Sequence, residues 1–201
     1  QAQWYTVMGT KPWKDRIDSK AGVDKAASCV NWKDAAKFCE ILSKKTGKKV
    51  TLPTEAQWEY ACRAGSKTTY CYSDDALKLG DYAWYSANAY RKGEMYAHAV
   101  GRLKPNVFGL YDMHGNVWEW CRDWYEEKFY AKAKNIDPEN TTKPRIVCRV
   151  LRGGSWFVDP ENCRSAVRSR ISTVLRDGCI GFRVVVSPDT GAFGSRRQNI
   201  K

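Results

Sequence analysis

From Asn31 to Gly47 apolar residues recur at helical spacing. Ala35, Phe38, Cys39 and Leu42 form one stripe, Asn31 can cap the first turn, and Gly47 can stop the last. A second helix is expected after Pro53, where Thr54 and Gln57 make a capping box, Trp58, Ala61 and Cys62 the stripe, and Gly65 the terminator. Periodicity then fades. Residues 66–106 are rich in Tyr, Gly and polar residues and read as loop, and 128–143 reads as a surface excursion. Between them, Leu110 to Trp124 holds a turn at His114-Gly115-Asn116 and then a run rich in Trp. Arg145 to Leu151 alternates like a half-buried strand, and Phe182 to Val186 is β-rich. Gly153-Gly154 signals a bulge or a close backbone approach. Two helices, short strands and long loops describe an α+β domain.

Between the two expected strands, Phe157, Val158, Val167, Ile171, Val174 and Leu175 follow neither a period of two nor of 3.6, and Asp159, Ser169, Ser172 and Asp177 are mixed among them. No single buried face results. The segment reads as a chemically mixed, exposed surface on a rigid scaffold, a usual place for binding residues.

With 201 residues, nine Trp and eleven Tyr the chain can bury a real core as one domain. The expected boundaries are 1–187 for the domain and 188–201 for a basic, mobile tail. No apolar run approaches membrane-spanning length, and no signal peptide starts at Gln1. The formal charge of +12 invites nucleic acid as a partner. Yet the densest cations, Lys44, Lys45, Lys48 and Lys49, sit at a helix end, where they complement the dipole, and no recognition motif accompanies them. Eight cysteines show neither a CxxC nor a ligand-like pairing with His98 or His114, so disulfides and compartment stay open. His114, before Gly115, reads as a turn residue.

Thr51–Gly65 (TLPTEAQWEYACRAG), Asn106–Trp120 (NVFGLYDMHGNVWEW), Leu151–Trp156 (LRGGSW) and Gly181–Val185 (GFRVV) together resemble the formylglycine-generating-enzyme-like, or sulfatase-modifying-factor, domain. That resemblance implies a variant of the C-type lectin fold over nearly the whole chain, beginning after the family's opening strands. Family members that oxidise cysteine carry two thiols in the pattern S-x-x-C-x4-C. Here Ser155 is followed by Val158 and then Cys163, so two soft thiolates for copper(I) are not supplied. Iron-dependent relatives place their histidines in a helical domain that has no counterpart here. The chain is therefore expected not to be an enzyme and to require no cofactor. A structural calcium implied by the resemblance would fall on Asp112, Gly115, Val117 and Glu119.

The order GGSW, CRSA, isolated arginines and IGFR also resembles the variable proteins of diversity-generating retroelements. Adenine mutagenesis of Asn codons cannot yield Lys, Glu, Gln, Met or Trp, and none occurs between Asn162 and Gly181. The resemblance implies a display surface of Phe157, Val158, Asp159, Asn162, Val167, Ser169, Arg170, Ile171, Ser172, Val174, Leu175, Asp177, Gly178 and Cys179. Arg152, Trp156, Cys163, Arg164, Arg168, Arg176 and Arg183 would be framework, with the two flanking strands paired to close the segment. The expected partner is a protein ligand, met by a monomer at the cell surface, and not nucleic acid. The competing readings are a formylglycine-generating-enzyme-like or sulfur-oxidising enzyme, acting on a thiol or peptide with Cys163 or Cys179 as nucleophile, and a nucleic-acid binder with steep salt dependence.

Overall fold

The computed structural model describes residues 1–133 and 136–187; the basic tail expected at 188–201 lies outside the described residues. Helix α2 (Trp32–Thr46) forms as its sequence requires. Asn31 Oδ1 accepts from the Asp34 N–H at 2.9 Å, Asp34 returns a bond to the Asn31 N–H, and Gly47 closes the helix in the left-handed region. Helix α3 (Glu55–Arg63) has the same reciprocal box between Thr54 and Gln57, but Ala64, at φ 46°, and not Gly65 takes the left-handed cap. The count of two helices needs correction: α1 (Ala2–Met8) buries Trp4 and ends on Gly9, and a single turn, α4 (Phe129–Lys132), lies in the expected excursion. Residues 66–106 are loop with two short 3-10 turns, at Ala76–Asp81 and Tyr90–Lys92.

The Trp-rich run is strand β2 (Trp118–Trp124), the centre of a four-stranded sheet. It pairs antiparallel with β3 (Cys148–Arg152) and parallel with β5 (Ile180–Gly181), while β4 (Ser169–Ser172) pairs antiparallel with β3 at the edge. Separately, β1 (Val50–Thr51) pairs with β6 (Val185–Val186). The flanking blocks expected to pair do not pair with each other: of Phe182–Val186 only Val185–Val186 is strand, and as β6 it pairs with β1, while β3 pairs with β2 and β4. Part of that segment is itself strand.

The core lies between this sheet and α2, where Ala35, Cys39, Leu52, Trp120, Leu151 and Ile180 meet. Trp4 stacks on Phe38 at 5.6 Å between centroids, and Phe182 meets both edge-on. Under α3 runs a buried ionic lattice. Glu55, 1% exposed, accepts from Arg168 on both oxygens (2.7 and 2.8 Å) and from Arg152 at 3.3 Å. Arg152, wholly buried, also donates to the carbonyls of Ser165 (2.7 Å) and Ala166 (3.2 Å) and to Glu59. Asp123 accepts from the Glu55 N–H at 2.6 Å and the Asn140 N–H at 2.9 Å. None of the eight cysteines is bridged, and no helix among the described residues is long and apolar enough to cross a membrane.

His114 is more than a turn residue. It is 1% exposed and joins two distant loops, with Nδ1 2.8 Å from the Cys163 carbonyl and Nε2 accepting from the Cys71 N–H at 3.0 Å. These partners require the neutral ring protonated on Nδ1, since a second proton on Nε2 would face an N–H donor. Burial lowers its pKa from 6.5 to about 4. A depressed histidine contributes stability that is complete above its unfolded pKa and is lost as pH falls between the two values. Unfolding free energy should therefore drop by about 3 kcal/mol between roughly pH 6.5 and 4 from this group. Denaturant titrations of the wild type and His114→Gln check this; an identical pH slope in both would contradict it.

Candidate functional site

The mixed segment starts on a turn that only glycine can make. Gly153 and Gly154 have φ of 97° and 79°, and a Cβ on Gly154 would lie 2.7 Å from Cys163 Sγ. Trp156 follows, 4% exposed as a framework residue should be, and its indole N–H donates to the Gly178 carbonyl at 3.2 Å. This bond, and not strand pairing, joins the two ends of the segment. Arg152, Arg168 and Arg183 are fixed by carboxylates, Arg176 pairs with Asp34, and exposed Arg164 bonds the Glu161 carbonyl at 2.7 Å.

The fourteen expected surface residues divide. Phe157, Asp159, Asn162, Arg170, Val174 and Leu175 are exposed, and Val158, Val167, Ser169, Ile171, Ser172, Asp177 and Cys179 are half-buried. Val158, Val167, Ile171 and Cys179 lean on the core. Gly178 is buried, and a Cβ there would collide with the Asp18 carbonyl, so it is corrected to framework. Asp159 is tied to the scaffold, accepting from the Ser86 hydroxyl and from Arg91 at 2.8 Å. Phe157 meets Tyr90 edge-on at 4.7 Å, and the two rings are 48% and 41% exposed, enough to offer an aromatic surface. Ser86, Tyr90 and Arg91 come from the aperiodic 66–106 loop, where no local signal marks them.

Cys163 is fully buried against Tyr70, Leu79 and Ala83, with Val158, the chain neighbour of Phe157, at the edge of the same cluster. Burial pushes its thiol up to about 12, and Cys179 is raised as well, chiefly by burial. Neither thiol ionises near neutrality, and His114 meets Cys163 through its carbonyl. A two-thiolate copper(I) site does not fit these residues, because Val158 stands where the family pattern has its first thiol.

Of the residues expected to hold calcium, Gly115 follows His114, whose ring meets the Cys163 carbonyl, and it does not line the cavity that the other three share. Asp112, Val117 and Glu119 line a cavity of about 720 Å³. Glu119 is committed: it accepts from Arg183 on both oxygens and from the Trp58 indole at 2.6 Å. Asp112, at φ 56°, accepts from the Gly101 N–H through Oδ2 at 2.8 Å, while its buried Oδ1 has no partner among the described residues. Burial raises the Asp112 carboxyl above the usual range. A calcium ion here would be held by Asp112 Oδ1 and the Gly115 and Val117 carbonyls, and would share Glu119 with Arg183. No cluster of three or more His, Cys, Asp or Glu able to hold a metal occurs among the described residues.

A model of the sulfatase-modifying factor enzyme 1-like domain matches residues 2–188. Formylglycine-generating enzyme of Streptomyces coelicolor is 32% identical over 200 residues, covering 92% of this chain and 61% of that protein. The enzyme of the same name from Mycobacterium tuberculosis is 37% identical over 160 residues, covering 70% and 52%. The chain thus spans about half to three-fifths of the length of these curated relatives. Among solved structures, variable protein 1 of Treponema denticola superposes with a TM-score of 0.77 at 28% identity, covering 94% of this chain and 81% of that one. These matches agree with the α+β architecture. They overturn the expectation that the chain is not an enzyme, since its relatives at 32% and 37% identity are named for an enzymatic activity. Of the retroelement reading, the fold neighbour alone is supported. The chain belongs to the sulfatase-modifying factor enzyme 1-like family.

Proposed function

We propose that the chain is a formylglycine-generating-enzyme-like domain that engages a polypeptide across the face where Phe157 and Tyr90 are exposed, next to Val158. The observation carrying this reading is that exposed aromatic pair, set beside the position that holds a thiol in the family pattern. Two large rings held edge-to-face offer apolar area at little entropic cost, and Arg91 beside them adds a charged discriminator. The names of the relatives support a protein substrate and chemistry on a residue of it.

A second reading, a surface displayed for ligand binding, is favoured by the exposure of Val174 (66%) and Leu175 (39%) beyond β4. It uses the same scaffold and differs in whether bound polypeptide is converted.

Fluorescence anisotropy with a labelled, cysteine-containing peptide tests the engagement, and mass spectrometry of the recovered peptide separates the readings. The wild type should bind, and Phe157→Ser with Tyr90→Ser should weaken binding at least tenfold, about 1.4 kcal/mol or more. An aldehyde in place of the peptide thiol supports the enzymatic reading, and unchanged peptide supports the display surface. No binding, or equal binding by the variant, overturns both.

Val158→Cys provides a separate check on the thiol site. It would set a second soft ligand against the cluster that contains Cys163. The variant should take up one copper(I) per chain in competition with a chromogenic chelator, under conditions where the wild type takes up none. Equal uptake by the two proteins would contradict the placement of Val158 beside Cys163.

A further inference from the structure

The four-stranded sheet ends differently on its two sides. Strand β5 is buried, and the Ala27 carbonyl lies 3.0 Å from where a Cβ on Gly181 would stand, so that edge is covered. Strand β4 is the last strand on the other side and is bonded to β3 alone. The ladder shows which way its backbone faces. Cys148 accepts from the Tyr125 N–H and donates to the Ile146 carbonyl, both at 3.0 Å, so its groups are turned away from Ser172, its partner in β4. Bonded and non-bonded residues alternate along an antiparallel pair. Ile171 and Ser169 therefore exchange bonds with Arg149 and Leu151, and the Arg170 N–H and carbonyl point outward, where no described segment pairs with them. Open edges are commonly blunted by proline or a bulge. Here the register runs unbroken from Ser169 to Ser172, without a proline.

The side chains along the edge narrow the choice of occupant. Arg168 and Arg170 lie over the Tyr125 ring at 5.0 and 4.7 Å, but only Arg168 has its charge answered, by Glu55. Exposed Arg170 pairs with no carboxylate among the described residues, and its contact with Tyr125 limits where the guanidinium can swing. Past the strand, Val174 and Leu175 add exposed apolar area. A row of free backbone groups is matched best by another extended backbone. The formal charge of +12 disfavours a second copy of this chain and favours an acidic partner. We propose that the outer edge of β4 takes up an extended acidic polypeptide as a fifth strand, its backbone bonded to Arg170 and an acidic side chain on the Arg170 guanidinium. The proposal rests on the display reading, whose Val174 and Leu175 it shares, and adds to it the mode of binding and the charge of the partner. It makes no use of Phe157 or Tyr90.

The probes are a blocked, labelled peptide of alternating valine and glutamate, its valine–lysine counterpart, and two N-methylated forms of the acidic peptide. One form is methylated at every glutamate and the other at every valine, because a strand bonds its neighbour through the N–H groups of alternate residues. The wild type should bind the acidic peptide at least tenfold more tightly than the basic one. Arg170→Glu, a change at an exposed position, should reverse that order without moving the melting temperature. One of the two methylated forms should bind at least tenfold more weakly than the parent, and the other should bind as the parent does. The variant carrying Phe157→Ser and Tyr90→Ser should bind the acidic probe like the wild type, so failure at that face and failure at β4 are read separately. No binding of the acidic peptide, an order of affinities that Arg170→Glu leaves unchanged, or the same affinity for both methylated forms overturns the proposal. So does a wild-type dimer in sedimentation equilibrium that the peptide dissociates, which gives the edge to a second copy.

Discussion

The structure turns on one buried carboxylate. Glu55 sits in the first turn of α3 and accepts from Arg168 through both oxygens and from Arg152 through one. Arg152 ends β3, and Arg168 immediately precedes β4, so one side chain ties a helix to two neighbouring strands. Other guanidinium N–H groups bond backbone carbonyls, while Arg152 Nε has no partner among the described residues. Arg152 holds the Ser165 and Ala166 carbonyls, and Arg168 reaches the Glu126 and Glu127 carbonyls at 3.1 and 3.0 Å. A buried ion pair of this kind adds little beyond an apolar replacement of both partners, but removing one partner strands the other charge in the interior. Its role is positional: it fixes where the segment after β3 must run.

That segment is consequently stiff where it matters and free where it is exposed. Glycine turns seat Cys163, Trp156 pins the Gly178 carbonyl, and His114 holds the Cys163 carbonyl from the other side. Phe157, Asn162, Arg170, Val174 and Leu175 are left outward on this framework. A fold of this type can carry a reactive pair, a single thiol or a binding surface without changing its frame. Val158 packs at the edge of the cluster that buries Cys163 with Tyr70, Leu79 and Ala83.

What could be read from the sequence follows the range of the forces involved. Helices α2 and α3 were legible because capping boxes and apolar stripes are local, and both appear with their expected N-terminal caps. Helix α1 was hidden by its seven-residue length, although Trp4, Val7 and Met8 ahead of Gly9 carry its signal. Strand β2 was hidden because its first four residues are all buried, which erases alternation. Sheet order was beyond local reading, so the pairing of Val185–Val186 with β1 contradicted the simpler pairing of the two flanking blocks. At the site, Trp156 and the fixed arginines were legible from the motif. Tyr90, Arg91 and Ser86 were not, because their partnership with Phe157 and Asp159 spans about seventy residues and is made only by the fold.

Urea unfolding of Glu55→Ala, beside a variant exchanged at Phe157, Asn162, Arg170, Val174 and Leu175 together, tests the central claim most directly. The account predicts a loss of about 3–5 kcal/mol for the single buried change, because two guanidinium groups lose their counter-charge. It predicts a loss of no more than about 1 kcal/mol for the fivefold surface exchange. A Glu55→Ala protein as stable as the wild type, or a surface exchange that abolishes cooperative unfolding, would contradict it.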